Sequence, residues 1–317
     1  FALDFPMPTL CPFSLRSALS LLGGAAVVVA SLQAQDVSHR QSTLTVQVTN
    51  QAKAPLPGAS VAVEMLNHDF RFGTAIVYGE LYAGSAEYSL KGLDALQTYF
   101  NSITFGNYMK WTYTEGRPYA TTRQTISDAL ALKAFGSERD FRVRGHVTIW
   151  GASYQLPTDL RAMTDAAQVK TRIRNHVTDY HTGLKGAGVD VYDLYNEHFH
   201  ERQYIMDKAV PGGSVAEQAA EAAEWFKLAA AADPEAQLYI NEYNILNFWQ
   251  ENDVDVIAYK TFVDAVRDAG GPVHGIGLQA HMDRMITKAQ IKRRLDLLAA
   301  PMAPTANHPN GLPGVRL

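Results

Sequence analysis

Between Phe70 and Leu298 the chain alternates between two rhythms, and that alternation leaves few folds open. Short runs rich in β-branched and aromatic residues read as strands: Phe70–Ile76, Ser102–Phe105, Phe141–Ile149, Val189–Asn196, Leu238–Asn241 and Gly275–Gln279. Leu90–Phe100, Thr122–Phe135, Ala167–Gly186, Val215–Ala232, Val254–Ala269 and Lys288–Leu298 read as helices. Val215–Ala232 is nearly free of β-branched residues and stops before Asp233-Pro234. Strand followed by helix, repeated over this length, predicts an α/β fold with a parallel sheet and its helices outside. About six β/α units are present, two short of a closed eightfold barrel. The expectation is an incomplete TIM (β/α)8 barrel over residues 70–300.

The strand Val189–Asn196 ends abruptly in an amide and a carboxylate, Asn196 and Glu197, with no turn residue between them. In a parallel α/β barrel the strand ends form the rim that carries the chemistry. The other predicted strands finish in the same manner. Asn107, Lys110 and Trp111 follow the second strand, and Arg144, His146, Trp150 and Gln155 belong to the third. Asn241-Glu242-Tyr243-Asn244 closes the fifth, and Gln279-Ala280-His281 the sixth. A lone histidine or tryptophan there is more often core than site. Agreement across five strand ends points instead to one shared polar rim. Amides and charges can pair with hydroxyl groups, indole can stack on a pyranose, and a carboxylic acid can protonate a glycosidic oxygen.

Upstream, Arg16 precedes an uncharged apolar run from Ala18 to Leu32, followed by small and polar residues. This is the layout of a secretory signal, so residues 1–35 are expected to be cleaved and the protein to be secreted or periplasmic, without stable membrane association afterwards. The alternative, a membrane anchor, is disfavoured by the shortness of the run and by Gly23 and Gly24 within it. The chain opens on Phe1 rather than Met, as a fragment or a frame read from upstream of its start would. Residues 36–69 alternate around Pro55-Leu56-Pro57-Gly58, which predicts a small N-terminal β-hairpin appendage. A net charge of −4 gives no reason to expect nucleic acid as partner, and the single cysteine, Cys11, excludes an internal disulfide.

Several segments together resemble glycoside hydrolase family 10, mainly retaining endo-β-1,4-xylanases on a TIM barrel. They are Phe100–Thr104 leading to Lys110-Trp111, Val143–His146 leading to Trp150, Asp193–Glu197, Leu238–Asn244 and Gly275–His281. The resemblance implies that Glu197 is the general acid/base and that Asn196 binds the sugar 2-hydroxyl. It implies that Asn107, Lys110, His146 and Gln155 hold sugars on the glycone side, with Trp150 as a wall there. Gln279 would contact the bond to be cleaved, and His281 would orient the nucleophile. The implied partner is β-1,4-xylan or a related polysaccharide, with no cofactor. An acid of this kind holds its proton above the ordinary carboxylate pKa of about 4.3, through repulsion by a second carboxylate nearby.

That second carboxylate is where the pattern breaks. The family places its nucleophilic glutamate at the end of a seventh strand, but Ala299–Leu317 contains no Asp or Glu. With four prolines among its residues, this tail (301–317) is expected to be disordered or loosely draped. The simplest account is a truncated or frameshifted reading of a longer enzyme gene. Glu242 is the best-placed substitute and Asp283 a weaker one. Gly106 and Gly151 stand where the family has a glutamate and a histidine, and the loop to Gln155 is about two residues longer. Two readings therefore stand: a retaining glycosidase whose site is incomplete here, and a catalytically dead sugar-binding protein of the same fold. A third, metal binding at His198 and His200, lacks a third ligand at matching spacing and is outweighed by solvent-facing loop histidines.

Overall fold

The computed structural model describes residues 42–65, 68–76, 86–115, 140–246, 252–282 and 286–317. The signal-like segment and the predicted helix Thr122–Phe135 lie outside them, as does Asp283. Among the described residues no helix is long and apolar enough to cross a membrane. The chain divides into two units between Glu64 and Met65.

The described part of the first unit is mostly exposed, and the predicted hairpin ladder does not form there. Its one bridge, Thr49 to Pro55, closes a turn at Asn50 rather than at Pro55–Gly58. The Asn50 Oδ1 accepts the N–H groups of Ala52 and Ala54, each at 3.0 Å, so a local side chain sets the turn. Leu44, Val46, Val61, Val63 and Met65 all face solvent, and an alternating pattern with no apolar surface to cover holds no register.

The second unit begins with β1 (Gly73–Ile76), α1 (Ala86–Tyr99), β2 (Ser102–Phe105) and the short α2 (Trp111–Thr114). There follow β3 (Arg142–Gly145), β4 (Ile149–Trp150), α3 (Thr158–Ala162), α4 (Ala166–Leu184) and β5 (Val189–Asn196). The last elements are α5 (Met206–Ala209), α6 (Val215–Ala232), β6 (Gln237–Glu242), α7 (Val254–Asp268), β7 (Gly275–Leu278) and α8 (Lys288–Ala299). All strands pair in parallel, in the order β1-β2-β3-β5-β6-β7, with β4 continuing the position of β3 beside the upper part of β5. Neighbours in sequence are neighbours in space, as in a barrel wall. The sheet is that wall left open, an incomplete (β/α)8 barrel.

Two predicted strands are shorter than their apolar runs. Ahead of β1, the Asn101 side chain takes the place of a ladder: its Nδ2 donates to the carbonyls of His68 and Phe70 and its Oδ1 accepts Phe72 N–H. The run Phe141–Ile149 splits into β3 and β4 around His146–Thr148, where the chain leaves one ladder and joins the next. The core lies between sheet and helices. Tyr192, Leu194, Leu238 and Ile240 from the strands meet Ile173 and Val177 of α4, Trp225 and Phe226 of α6, and Tyr259 and Phe262 of α7. Each such side chain contributes about 1.5–3 kcal/mol by leaving water. Ser214 and Glu217 close a capping box at the start of α6, and Thr287 and Gln290 one at α8.

The tail is irregular, yet neither disordered nor loosely draped. Ile276 N–H donates to Arg316 O at 2.8 Å, pairing the tail with the outer edge of β7, and Met302 pairs with Leu312. Arg267 of α7 donates to Pro313 O at 2.6 Å, and Asn307 donates to both oxygens that Asp268 offers it. An exposed strand edge offers unpaired N–H and C=O groups, and even a proline-rich segment gains by satisfying them.

Candidate active site

Asn196 ends β5 fully buried, and Glu197 follows it in the left-handed region at φ 60°. A non-glycine residue held there costs about 1–3 kcal/mol unless its surroundings fix it. Here they do. Glu197 N–H donates to Asn241 O at 2.8 Å, and its own carbonyl accepts His200 N–H and Glu201 N–H. The turn aims the carboxylate back across the strand ends. Trp150 Nε1 donates to Oε2 at 2.6 Å, and Gln279 Nε2 donates to Oε1 at 2.7 Å. The residue is only 7 % exposed.

Beside it runs a chain of amides. Asn241 Nδ2 donates to Asn196 Oδ1 at 2.7 Å, and Gln279 Nε2 lies 3.3 Å from the same oxygen. Among the described residues this leaves Asn196 Nδ2 and Asn241 Oδ1 buried with no hydrogen-bond partner. Such a group costs about 1–3 kcal/mol, which an incoming hydroxyl would relieve. Gly277 on β7 permits the arrangement, since a Cβ there would stand 2.4 Å from Asn241 Oδ1. His281, past the strand end, pairs its Nε2 with Gln279 Oε1 at 3.0 Å.

The cationic side of the rim is held as firmly. Lys110 Nζ donates to Asn107 Oδ1 at 3.0 Å and lies 4.9 Å from the Trp150 ring centroid. His146, 6.3 Å from the Trp150 ring, turns Nδ1 to Asp193 Oδ2 at 2.7 Å. Asp193 is fully buried and also takes Arg144 Nη2 at 2.7 Å. Burial works to raise its carboxyl pKa, but Arg144 and His146 override that and hold it below the usual range. Asp193 thereby fixes the His146 ring, and the pair of partners satisfies its buried carboxylate.

Seven of the expected residues therefore gather with Glu197: Asn107, Lys110, His146, Trp150, Asn196, Gln279 and His281. Gln155 is tied to α2. It is buried and its Oε1 accepts the Thr112 hydroxyl at 3.3 Å.

Glu242 is fully buried and already occupied. Its Oε1 accepts His200 Nδ1 and Tyr243 N–H, both at 2.9 Å, and its Oε2 accepts Phe199 N–H at 3.0 Å. Glu242 thereby anchors the loop that follows β5. His198 corrects the picture of two solvent-facing loop histidines. It is 2 % exposed, stacks on Phe262 at 3.7 Å and pairs with the Tyr195 hydroxyl, and burial drives its pKa down to about 3. His198 and His200 thus turn to different partners and do not share a ligand face. Among the described residues no group of three or more His, Cys, Asp or Glu could hold a metal.

Residues 62–302 match the family model described as Glycosyl hydrolase family 10. The chain belongs to this family. It is similar to endo-1,4-beta-xylanase 3 of Hypocrea jecorina, 30% identical over 211 residues covering 64% of this chain and 57% of that protein. Endo-1,4-beta-xylanase A of Phanerodontia chrysosporium is 32% identical over 236 residues, 71% of this chain and 52% of its own. In structure, a mutant of xylanase A from P fluorescens subsp. cellulosa, in complex with xylopentaose, superposes with a TM-score of 0.60 at 25% identity, covering 74% of this chain and 66% of that one. The chain spans a little over half the length of these two curated relatives. Where the family 10 pattern has a histidine after the tryptophan, Gly151 leaves no room for one: a Cβ there would fall 1.5 Å from Glu201 O. The loop after Glu197 is thus pressed against the backbone that carries Trp150.

Proposed function

We propose that this chain carries the glycan-holding and proton-donating half of a retaining, endo-acting hydrolase of β-1,4-xylan or a related plant polysaccharide. The observation that carries the reading is the Glu197 carboxylate, braced by Trp150 and Gln279 from two strand ends beside the unsatisfied Asn196 amide. Glu197 acts as general acid, giving its proton to the leaving oxygen, and then as base toward water. Asn196 Nδ2 donates to a sugar 2-hydroxyl. Asn107, Lys110 and His146 hold the glycone-side sugars against Trp150. Gln155 joins the loop after Trp150 to α2 through Thr112, and His281 sets the Gln279 amide. The reaction uses no cofactor, and the setting is secreted or periplasmic.

Retention requires a nucleophile opposite the acid. Glu242 is engaged on both oxygens, and Ala299–Leu317 has no carboxylate side chain. The chain is therefore expected to bind xylo-oligosaccharides without releasing sugar. Calorimetry with xylopentaose and a reducing-sugar assay on xylan test this. Unaided release, lost in Glu197→Ala, would show that a nucleophile is present after all.

The second reading is a catalytically dead sugar-binding protein of the same fold, in which Asn107, Lys110, His146 and Trp150 still hold a glycan. A small external anion separates the two. If Glu197 is a working acid, azide or formate supports leaving-group release from an aryl β-xylobioside, and Glu197→Gln abolishes it. Sugar binding with no release under either anion establishes the binding protein.

A further inference from the structure

The loop after β4 carries a side chain that neither the fold nor the catalytic reading uses. In the 3-10 turn Ser153–Gln155, Tyr154 is 66 % exposed although its neighbours Ala152, Gln155 and Leu156 are buried. Its ring meets Trp150 edge-to-face, with centroids 5.7 Å apart at 78°. Trp150 in turn touches Glu197 and lies under Lys110, so Tyr154 extends the aromatic wall of the site outward by one ring. Its hydroxyl sits in the field of the same site: its pKa is raised by partial burial and then by the negative charges of Glu197 and Glu201. Two polar positions expected at this rim are glycines here, Gly106 and Gly151, and Glu201 O fills the space at the second. The loop to Gln155 is about two residues longer than the family pattern, and Tyr154 lies within it.

We infer that Tyr154 is a sugar-stacking platform, taking the apolar face of one pyranose in a neutral β-linked glycan beyond the sugars held at Trp150. The inference rests on the glycan reading above. Aromatic faces suit this work because pyranose C–H groups pack on a π-surface at little entropic cost, tyrosine having few rotatable bonds. At this exposed position a substitution is expected to leave the fold unaffected.

The test is calorimetric titration of xylopentaose and xylobiose into the wild-type chain, Tyr154→Ala and Tyr154→Phe, with thermal midpoints alongside. Tyr154→Ala is expected to weaken xylopentaose about 3- to 10-fold, by analogy with aromatic pair energies, and xylobiose by less than twofold. Tyr154→Phe keeps xylopentaose within about twofold, and neither variant shifts the thermal midpoint. Wild-type binding of xylopentaose that Tyr154→Ala leaves unchanged overturns this inference alone. Equal losses in Ala and Phe overturn stacking. Absence of xylopentaose binding by the wild-type chain removes the glycan reading and this inference with it.

Discussion

The Trp150 indole N–H donates a 2.6 Å hydrogen bond to Glu197 Oε2 from a strand end that stands level with the one before Glu197, since Trp150 pairs with Asn196 in the β4–β5 ladder. The acid is thus braced through backbone register, and Gln279 completes the brace from the far side. Trp150→Phe keeps an aromatic wall but removes the donor. As Glu197 gives up its proton the indole N–H meets a developing carboxylate, and loss of one such hydrogen bond is worth about 1.5–3 kcal/mol. Anion-supported leaving-group release from an aryl xylobioside is therefore expected to fall at least about tenfold, measured by phenol absorbance. A rate unchanged within twofold would remove Trp150 from the positioning of the acid.

His200 and Glu242 give the site a pH dependence of defined sign. The hydrogen bond to Glu242 raises the His200 pKa, burial opposes it, and the charges of Glu242, Glu197 and Asp255 raise it further. With the folded value above the unfolded value of about 6.5, the stabilisation is fully present below that pH and is lost as pH rises through the folded pKa. The expected outcome is a thermal midpoint that declines as pH rises above about 6.5 in wild type and is flatter in His200→Gln. NMR titration of His200 is expected to move back toward the ordinary value in Glu242→Gln. A His200 that titrates at or below about 6.5 in wild type contradicts the pair.

The rim was legible from the sequence because its residues sit at strand ends, where a polar side chain stands out against an apolar run. Glu197, Asn196 and Gln279 could be placed this way. The partners that fix them were harder to read. Asp193 lies inside a buried strand and looks like one polar interruption until Arg144 and His146 close on it from a strand 47 to 49 residues away. Gln155 has the right residue type at the right loop but is buried and pairs with Thr112, a choice made by packing rather than pattern. The two-residue period around Pro55–Gly58 misled for the opposite reason: alternation specifies a strand only where one face finds cover. The tail misled because composition reports propensity, whereas the open edge of β7 supplied hydrogen-bond partners that the tail's own sequence does not reveal.

Glu115 provides the acid limb of stability. Burial alone would raise its pKa, but hydrogen bonds from His176 and Arg172, with their charges, lower it to about 2. His176 is wedged between the Glu115 carboxylate at 2.7 Å and Thr148 O at 2.9 Å, and it stacks on Trp111 at 3.8 Å. A folded pKa below the unfolded 4.5 means stability that is present above that pH and lost as pH falls toward about 2. Glu115→Gln is expected to lower the midpoint at neutral pH and to lessen its further fall between pH 4.5 and pH 2. Parallel acid-denaturation curves for the two proteins would rule out this role.

The β7 edge is the last place where structure sets a measurable outcome. Arg316 O accepts Ile276 N–H, Arg267 holds Pro313 O, and Gly314 packs so tightly that a Cβ there would come within 2.0 Å of Ala299 O. Gly314→Leu is expected to lift the tail from the strand, as removal of residues 313–317 would. Either change frees the Ile276 amide, which then exchanges with deuterium faster by an order of magnitude or more, while amides of β5 keep their protection. A freed parallel edge also recruits other chains, so light scattering at micromolar concentration is expected to rise in both variants. Arg267→Ala, which removes only the clamp on Pro313, is expected to fall between wild type and these. Unchanged Ile276 exchange in all three would mean that the tail contributes nothing to protecting this edge.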